Sequence, residues 1–170
     1  MSDAAAKSIV TSFNDCIGRR DITGLSSLMT DDHVFIDTAN NSISGKNCCL
    51  AAWKSFFAAF PDYRNIFQQV LIVGDHAVIV GRSICADRRL VGPALWTAKL
   101  SGTLVAEWRV YEDTTANRAP FGRSRLDAPT AVGAYGCMLP SAAFASGNGR
   151  SGQLRRVRHQ REHGECNTVC

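Results

Sequence analysis

The chain has 170 residues, with 19 Lys and Arg against 15 Asp and Glu and a formal net charge of +4. That length suits one domain with a real core and is short for two. Nothing approaches the roughly 20 apolar residues of a bilayer span. The opening MSDAAAKSIV has neither the basic nor the apolar region of a secretory leader, so a cytoplasmic protein that makes no use of a membrane is expected.

In chain order, Ile9, Val10, Phe13 and Ile17 recur at helical spacing, and Gly18 marks the end of a first helix. Asp21 in DITGLSSLM is placed to cap a second, shorter one. The stretch TDDHVFIDTANNSISGK, residues 30–46, then reads as a helix exit, a short strand, a turn and the start of another helix. Strand alternation puts His33, Phe35 and Asp37 on one face. His33 is expected at the helix exit or on the surface.

Leu50, Trp53, Phe56, Phe57 and Phe60 form one face of a third helix over residues 46–60, stopped by Pro61. The period then changes. YRNIFQQVLIVGD, HAVIVGRSICAD, GPALWTAKLSG and TLVAEWRVYED read as successive strands joined at Gly74-Asp75, around Asp87-Arg88-Arg89 and at Ser101-Gly102. Three helices followed by an antiparallel meander make an α+β domain over residues 1–120.

Residues 1–120 carry equal numbers of acidic and basic side chains, so the whole positive excess lies in residues 121–170, where seven arginines occur without a lysine. This Arg-, Gly- and Ala-rich tail has no apolar period and is expected to be disordered. Its abrupt change of character is also what a shifted reading frame would produce. The run RSGQLRRVRHQREHGE could hold phosphates loosely, but it lacks interleaved aromatics and a fold signature, so a solvated tail is preferred to a nucleic-acid site. The seven cysteines, at 16, 48, 49, 85, 137, 166 and 170, have no zinc-type spacing. Reduced structural thiols and no metal are expected.

The element order, together with FFAAFPDYRN after the third helix and SGTLVAEWRVYED at the end of the meander, resembles the SnoaL-like branch of the nuclear transport factor 2-like superfamily. This is the cystatin-like α+β cone. The resemblance implies three N-terminal helices packed on a curved, mainly antiparallel sheet, an apolar pocket for a small hydrophobic molecule, no cofactor, and a homodimer across the outer sheet face.

The fold serves isomerases, cyclases, dehydratases, hydrolases and binding modules alike, so activity must be argued from residues. Aligned with the ketosteroid isomerases of this superfamily, Asp37 falls on the proton-shuttle position, while Phe13 replaces the oxyanion tyrosine. No carboxylate occupies the strand before Gly102. Each missing donor costs such an enzyme roughly 3 to 4 kcal/mol of transition-state stabilisation. The cyclase Asp would fall near Leu95, and the carboxylates of the epoxide hydrolases near Ile84 and Val110, so neither set is present.

Two readings remain. In one, a hydrophobic carbonyl compound is isomerised, cyclised or dehydrated with Asp37 as general acid/base. Phe13, Trp53, Phe57, Trp96 and Trp108 would then be aromatic walls, and Arg82 a pocket cation. In the other, the same fold binds a hydrophobic ligand or a protein without chemistry, and Asp37 opens the turn DTANNSISG by accepting backbone hydrogen bonds.

Overall fold

The computed structural model describes residues 1–121. The element order is helix α1 (Asp3–Arg19), helix α2 (Ile22–Leu28), strand β1 (Met29–Ile36), strand β2 (Ser42–Ser44), helix α3 (Lys46–Ala59), strands β3 (Arg64–Val73), β4 (His76–Ile84), β5 (Gly92–Ser101) and β6 (Leu104–Glu112), and the short helix α4 (Thr115–Arg118). Single 3-10 turns cover Arg88–Leu90 and Ala119–Phe121. The tail expected over residues 121–170 lies outside the described residues, apart from Phe121. No helix among the described residues is long and apolar enough to cross a membrane.

Local chemistry sets the boundaries. Ser2 caps α1 by accepting from the Ala5 N–H at 3.3 Å. The helix runs through Gly18 and ends at Arg20, whose left-handed φ of 60° lets its N–H and that of Asp21 return to the carbonyls of Ile17 and Cys16. Gly18 is therefore a helical residue and not the stop. Asp21 caps α2 through the Gly24 N–H at 2.8 Å, as its place before the apolar run suggested. The stripe on α3 buries Trp53, Phe56 and Phe57.

The six strands form one sheet in the order β2-β1-β6-β5-β4-β3. All neighbours are antiparallel except β1 with β6, which pair parallel with Phe35 opposite Trp108. Strand β2, hidden in a segment that reads as pure turn, pairs Ile43 with Phe35. One face carries the main core, which includes Phe35, Ala77, Ile79, Ala94, Trp96, Ala98, Trp108 and Val110 and meets Val10, Phe13 and Ile17 of α1 and Trp53 and Phe56 of α3. Full burial of side chains this large contributes roughly 2 to 3 kcal/mol each. A second cluster of Val78, Val80 and Leu95, with Leu71, Tyr111 and Phe121, lies on the other face.

Helix α4 follows β6 and leads into the last turn of the described chain. Thr114 caps it through the Asn117 N–H at 3.1 Å. Arg118 pairs with Asp113, both side chains being nearly inaccessible to solvent. Among the described residues, Cys16, Cys49 and Cys85 are buried free thiols.

Strand β3 shifts register between Phe67 and Gln69, which carries Phe67 opposite Gly81 of β4. A Cβ at position 81 would lie 2.1 Å from the Ile66 carbonyl oxygen, so only glycine permits this approach. Gly81→Ala should push β3 outward and lower the unfolding free energy by about 2 kcal/mol in urea titrations. An unchanged midpoint would show that the strand yields without cost.

Candidate functional site

Strand β1 buries His33 and Phe35, at 0% and 4% exposure, and Asp37, directly after its last residue, is 5% exposed. The Asp37 carboxylate organises the loop that follows. Oδ1 accepts from the N–H groups of Ala39 at 2.8 Å and Asn41 at 2.9 Å, and Oδ2 accepts from Asn41 Nδ2 at 2.9 Å. The Asp37 backbone joins in, with its N–H donating to the Asn41 carbonyl at 3.0 Å and its carbonyl accepting from Asn40 at 3.1 Å. Asn40 adopts a left-handed φ of 66° and accepts a hydrogen bond from Arg109. A carboxylate offers about four acceptor positions, and three are taken here by its own loop. The turn-opening role of Asp37 is thus present in full.

Of the expected aromatic walls, Phe13, Trp96 and Trp108 come together. Phe13 stacks on Trp108 with centroids 4.9 Å apart, and Phe67 bridges Trp108 at 6.4 Å to Trp96 at 5.7 Å. Trp53 and Phe57 stack at 5.4 Å in a neighbouring set, with Phe35 against Trp53 at 5.5 Å. Both sets belong to one core cluster, with Phe67 packed against it. Phe67 was missed because the irregularity in β3 is invisible in RNIFQQVLIV.

Arg82 is not brought to this interior. Alternation along β4 turns Ala77, Ile79, Gly81 and Ser83 inward, so Arg82 shares the outer face with Val78 and Val80 and is exposed. Its neighbours in register, Ile66 and Pro93, are outside with it. The expectation of a pocket cation at Arg82 is therefore corrected by strand parity. The inward residues of β4, and Ala94, Trp96 and Ala98 of β5, include no carboxylate.

His33 is the second correction. Far from lying on the surface, it is fully buried beside Phe13, with ring centroids 5.9 Å apart, and its Nδ1 lies 2.7 Å from the Val105 carbonyl oxygen. A carbonyl can only accept, so Nδ1 carries the hydrogen. Burial pushes the imidazole below its usual pKa, opposed by the Val105 bond. The ring is therefore neutral and Nε2 holds a bare lone pair, with no partner among the described residues. The only hint in the sequence was its parity with Phe35.

Other inward polar atoms share this condition. The indole Nε1 groups of Trp53 and Trp96 and the side-chain amide of Asn65 are buried without partners among the described residues. Asn65 is held by its backbone, whose carbonyl accepts from Asn14 Nδ2 at 3.2 Å. Cys49, beneath β1, approaches the carbonyls of Ile43 at 3.3 Å and His33 at 3.6 Å, and burial pushes its thiol up to about 11. It is an inert packing residue at neutral pH. Among the described residues no group of three or more His, Cys, Asp and Glu side chains could hold a metal ion.

Residues 10–123 match the family described as SnoaL-like domain. No curated protein matches the chain. Among solved structures, it is similar to a protein from Jannaschia sp. CCS1 assigned as a SnoaL-like polyketide cyclase, with 20% identity over 70% of this chain and 94% of that one and a TM-score of 0.58. It is also similar to an LEH-like epoxide hydrolase from Mycobacterium tuberculosis, with 13% identity over 64% and 82% of the two chains and a TM-score of 0.57. An uncharacterised cystatin-fold protein from Novosphingobium aromaticivorans follows at 14%, 65% and 97%, with a TM-score of 0.55. At such identities the likeness is one of fold.

The buried neutral His33 makes a pH prediction. Its folded pKa is depressed, so the stability it contributes is present above the unfolded value of 6.5 and is lost as pH falls below it. The unfolding free energy should decline there by up to about 1.4 kcal/mol per pH unit. Urea titrations at a series of pH values should show this slope in the wild type and its loss in His33→Gln. Equal slopes in the two proteins would contradict the assignment.

Proposed function

The chain belongs to the SnoaL-like domain family, and on that premise we propose that its aromatic interior binds a flat, largely apolar compound that carries a carbonyl oxygen. One observation supports this above the others: the indole N–H groups of Trp53 and Trp96 are buried without an acceptor among the described residues. Buried tryptophans usually find a partner for that hydrogen. Leaving it unpaired costs roughly 1 to 3 kcal/mol, which a ligand carbonyl would return. Phe13, Phe67, Trp96 and Trp108 lie ring against ring, an aromatic lining whose chemistry suits a planar apolar molecule better than a bulky polar one.

Binding without chemistry is favoured over turnover by what surrounds Asp37. A proton shuttle must release its hydrogen-bond partners to reach a substrate, and this carboxylate is held by two backbone N–H groups and an amide of its own loop. The catalytic reading, isomerisation, cyclisation or dehydration of the bound carbonyl compound by Asp37, draws support from its burial at the end of the inner face of β1. In that reading the fourth acceptor position would serve the substrate.

The test uses 2-acetylnaphthalene and 2-ethylnaphthalene, which differ in the carbonyl. Saturable quenching of tryptophan fluorescence by both is expected, with the ketone bound roughly tenfold tighter. Trp96→Phe should shrink that preference while keeping the hydrocarbon bound. Failure of both compounds to quench saturably would overturn the proposal.

A further inference from the structure

The sheet has two edges, and they are finished differently. At one, β2 is three residues long, and its Ser42 and Ser44 are exposed. A strand so short and polar offers little to pair with. At the other, β3 runs for ten residues with β4 as its single strand neighbour among the described residues. From Asn65 to Val73 it carries neither charge nor proline, the usual guards of an exposed edge. Ile66 at 42% and Val73 at 48% exposure both lie on it and, apart from Met1, are the exposed large apolar side chains among the described residues. Its inward Phe67, Val70 and Ile72 are only half-buried, although they pack against the main core. The centre of the outer sheet face is different, since Val78, Val80, Leu95 and Thr97 are all 6% exposed or less. What is left to cover lies along the β3 edge.

We propose that β3 docks on β3 of a second copy of this chain, antiparallel about a two-fold axis at Val70, so that the two sheets become one. Gln68 has no register partner on β4 and drops out of the alternation. Counting past it, a centre at Val70 sets Phe67 beside Ile72 of the second copy on the inner face, and Ile66 beside Val73 of the second copy on the outer face. The two-fold axis makes each of these contacts twice. The same register brings Arg64, exposed at the start of one strand, to Asp75 of the second copy, exposed beside His76 in the turn that ends the other strand. Opposite charges therefore meet at both ends of an apolar strip, whereas a parallel pairing would set Arg64 beside its own copy. This complementarity selects a second copy over an unrelated extended peptide, and an edge contact over packing across the outer sheet face.

Sedimentation of the full chain over a concentration series up to about 100 μM tests this. A dimer is expected for the wild type. Lysine at the two exposed apolar positions, I66K with V73K, should leave the far-UV circular dichroism unchanged and give a monomer. Arg64→Asp alone and Asp75→Arg alone should each raise the dimer dissociation constant roughly tenfold, because two attractive pairs become repulsive, and the double variant should restore it. If the lysine variant fails to fold, the charge reversals still decide. A wild type that stays monomeric throughout, or a dimer indifferent to either set of changes, would overturn the proposal.

Discussion

The stacking of Phe13 on Trp108, at 4.9 Å, joins helix α1 to the centre of the sheet, and the interior is arranged around that contact. Trp108 lies opposite Phe35 on one side and Ala98 on the other, so the small Ala98 makes room beside it and the aromatic layer extends to Trp96 through Phe67. The approach of Phe67 depends in turn on Gly81, the one residue that allows the β3 backbone so close. One residue after Phe13 on α1, Asn14 donates to the Asn65 carbonyl and ties the helix to β3. Packing and site are thus the same set of contacts.

Much of this arrangement was legible in the sequence. The stripe on α3, the cap at Asp21 and the change from helical to strand period at Pro61 each follow from a local rule and appear as expected. What escaped was non-local. Arg20 rather than Gly18 closes α1, because residues outside the helix decide where its last carbonyls are satisfied. Strand β2 is three residues long and exists only because β1 offers it an edge.

The site residues divide along the same line. Trp96, Trp108, Trp53, Phe57 and Phe13 could be chosen by size and apolarity, and all are buried. Arg82 was misjudged because the inward face of β4 is set by Ile79 and Gly81, and an apolar run such as AVIVG gives no alternation from which to read it. His33 was misjudged for the opposite reason: its neighbours Asp31 and Asp32 are exposed, so the strand looked polar where it is already half inside. Asp37 admitted two roles on sequence grounds. The loop Thr38 to Asn41 folds back on its carboxylate and gives the turn-opening one its geometry.

The interior that results is apolar in its surfaces and specific in a few points. Trp53 and Trp96 present donors, His33 presents an acceptor, and Asn65 presents both. Native proteins leave few such groups unpaired, and those that persist call for a physical reason. The most direct measurement is the side-chain N–H spectrum of the three tryptophans with 2-acetylnaphthalene added. Binding of the ketone in the interior predicts downfield movement of the Trp53 or Trp96 indole hydrogen as it gains an acceptor. Saturated binding with both resonances unmoved would contradict the account.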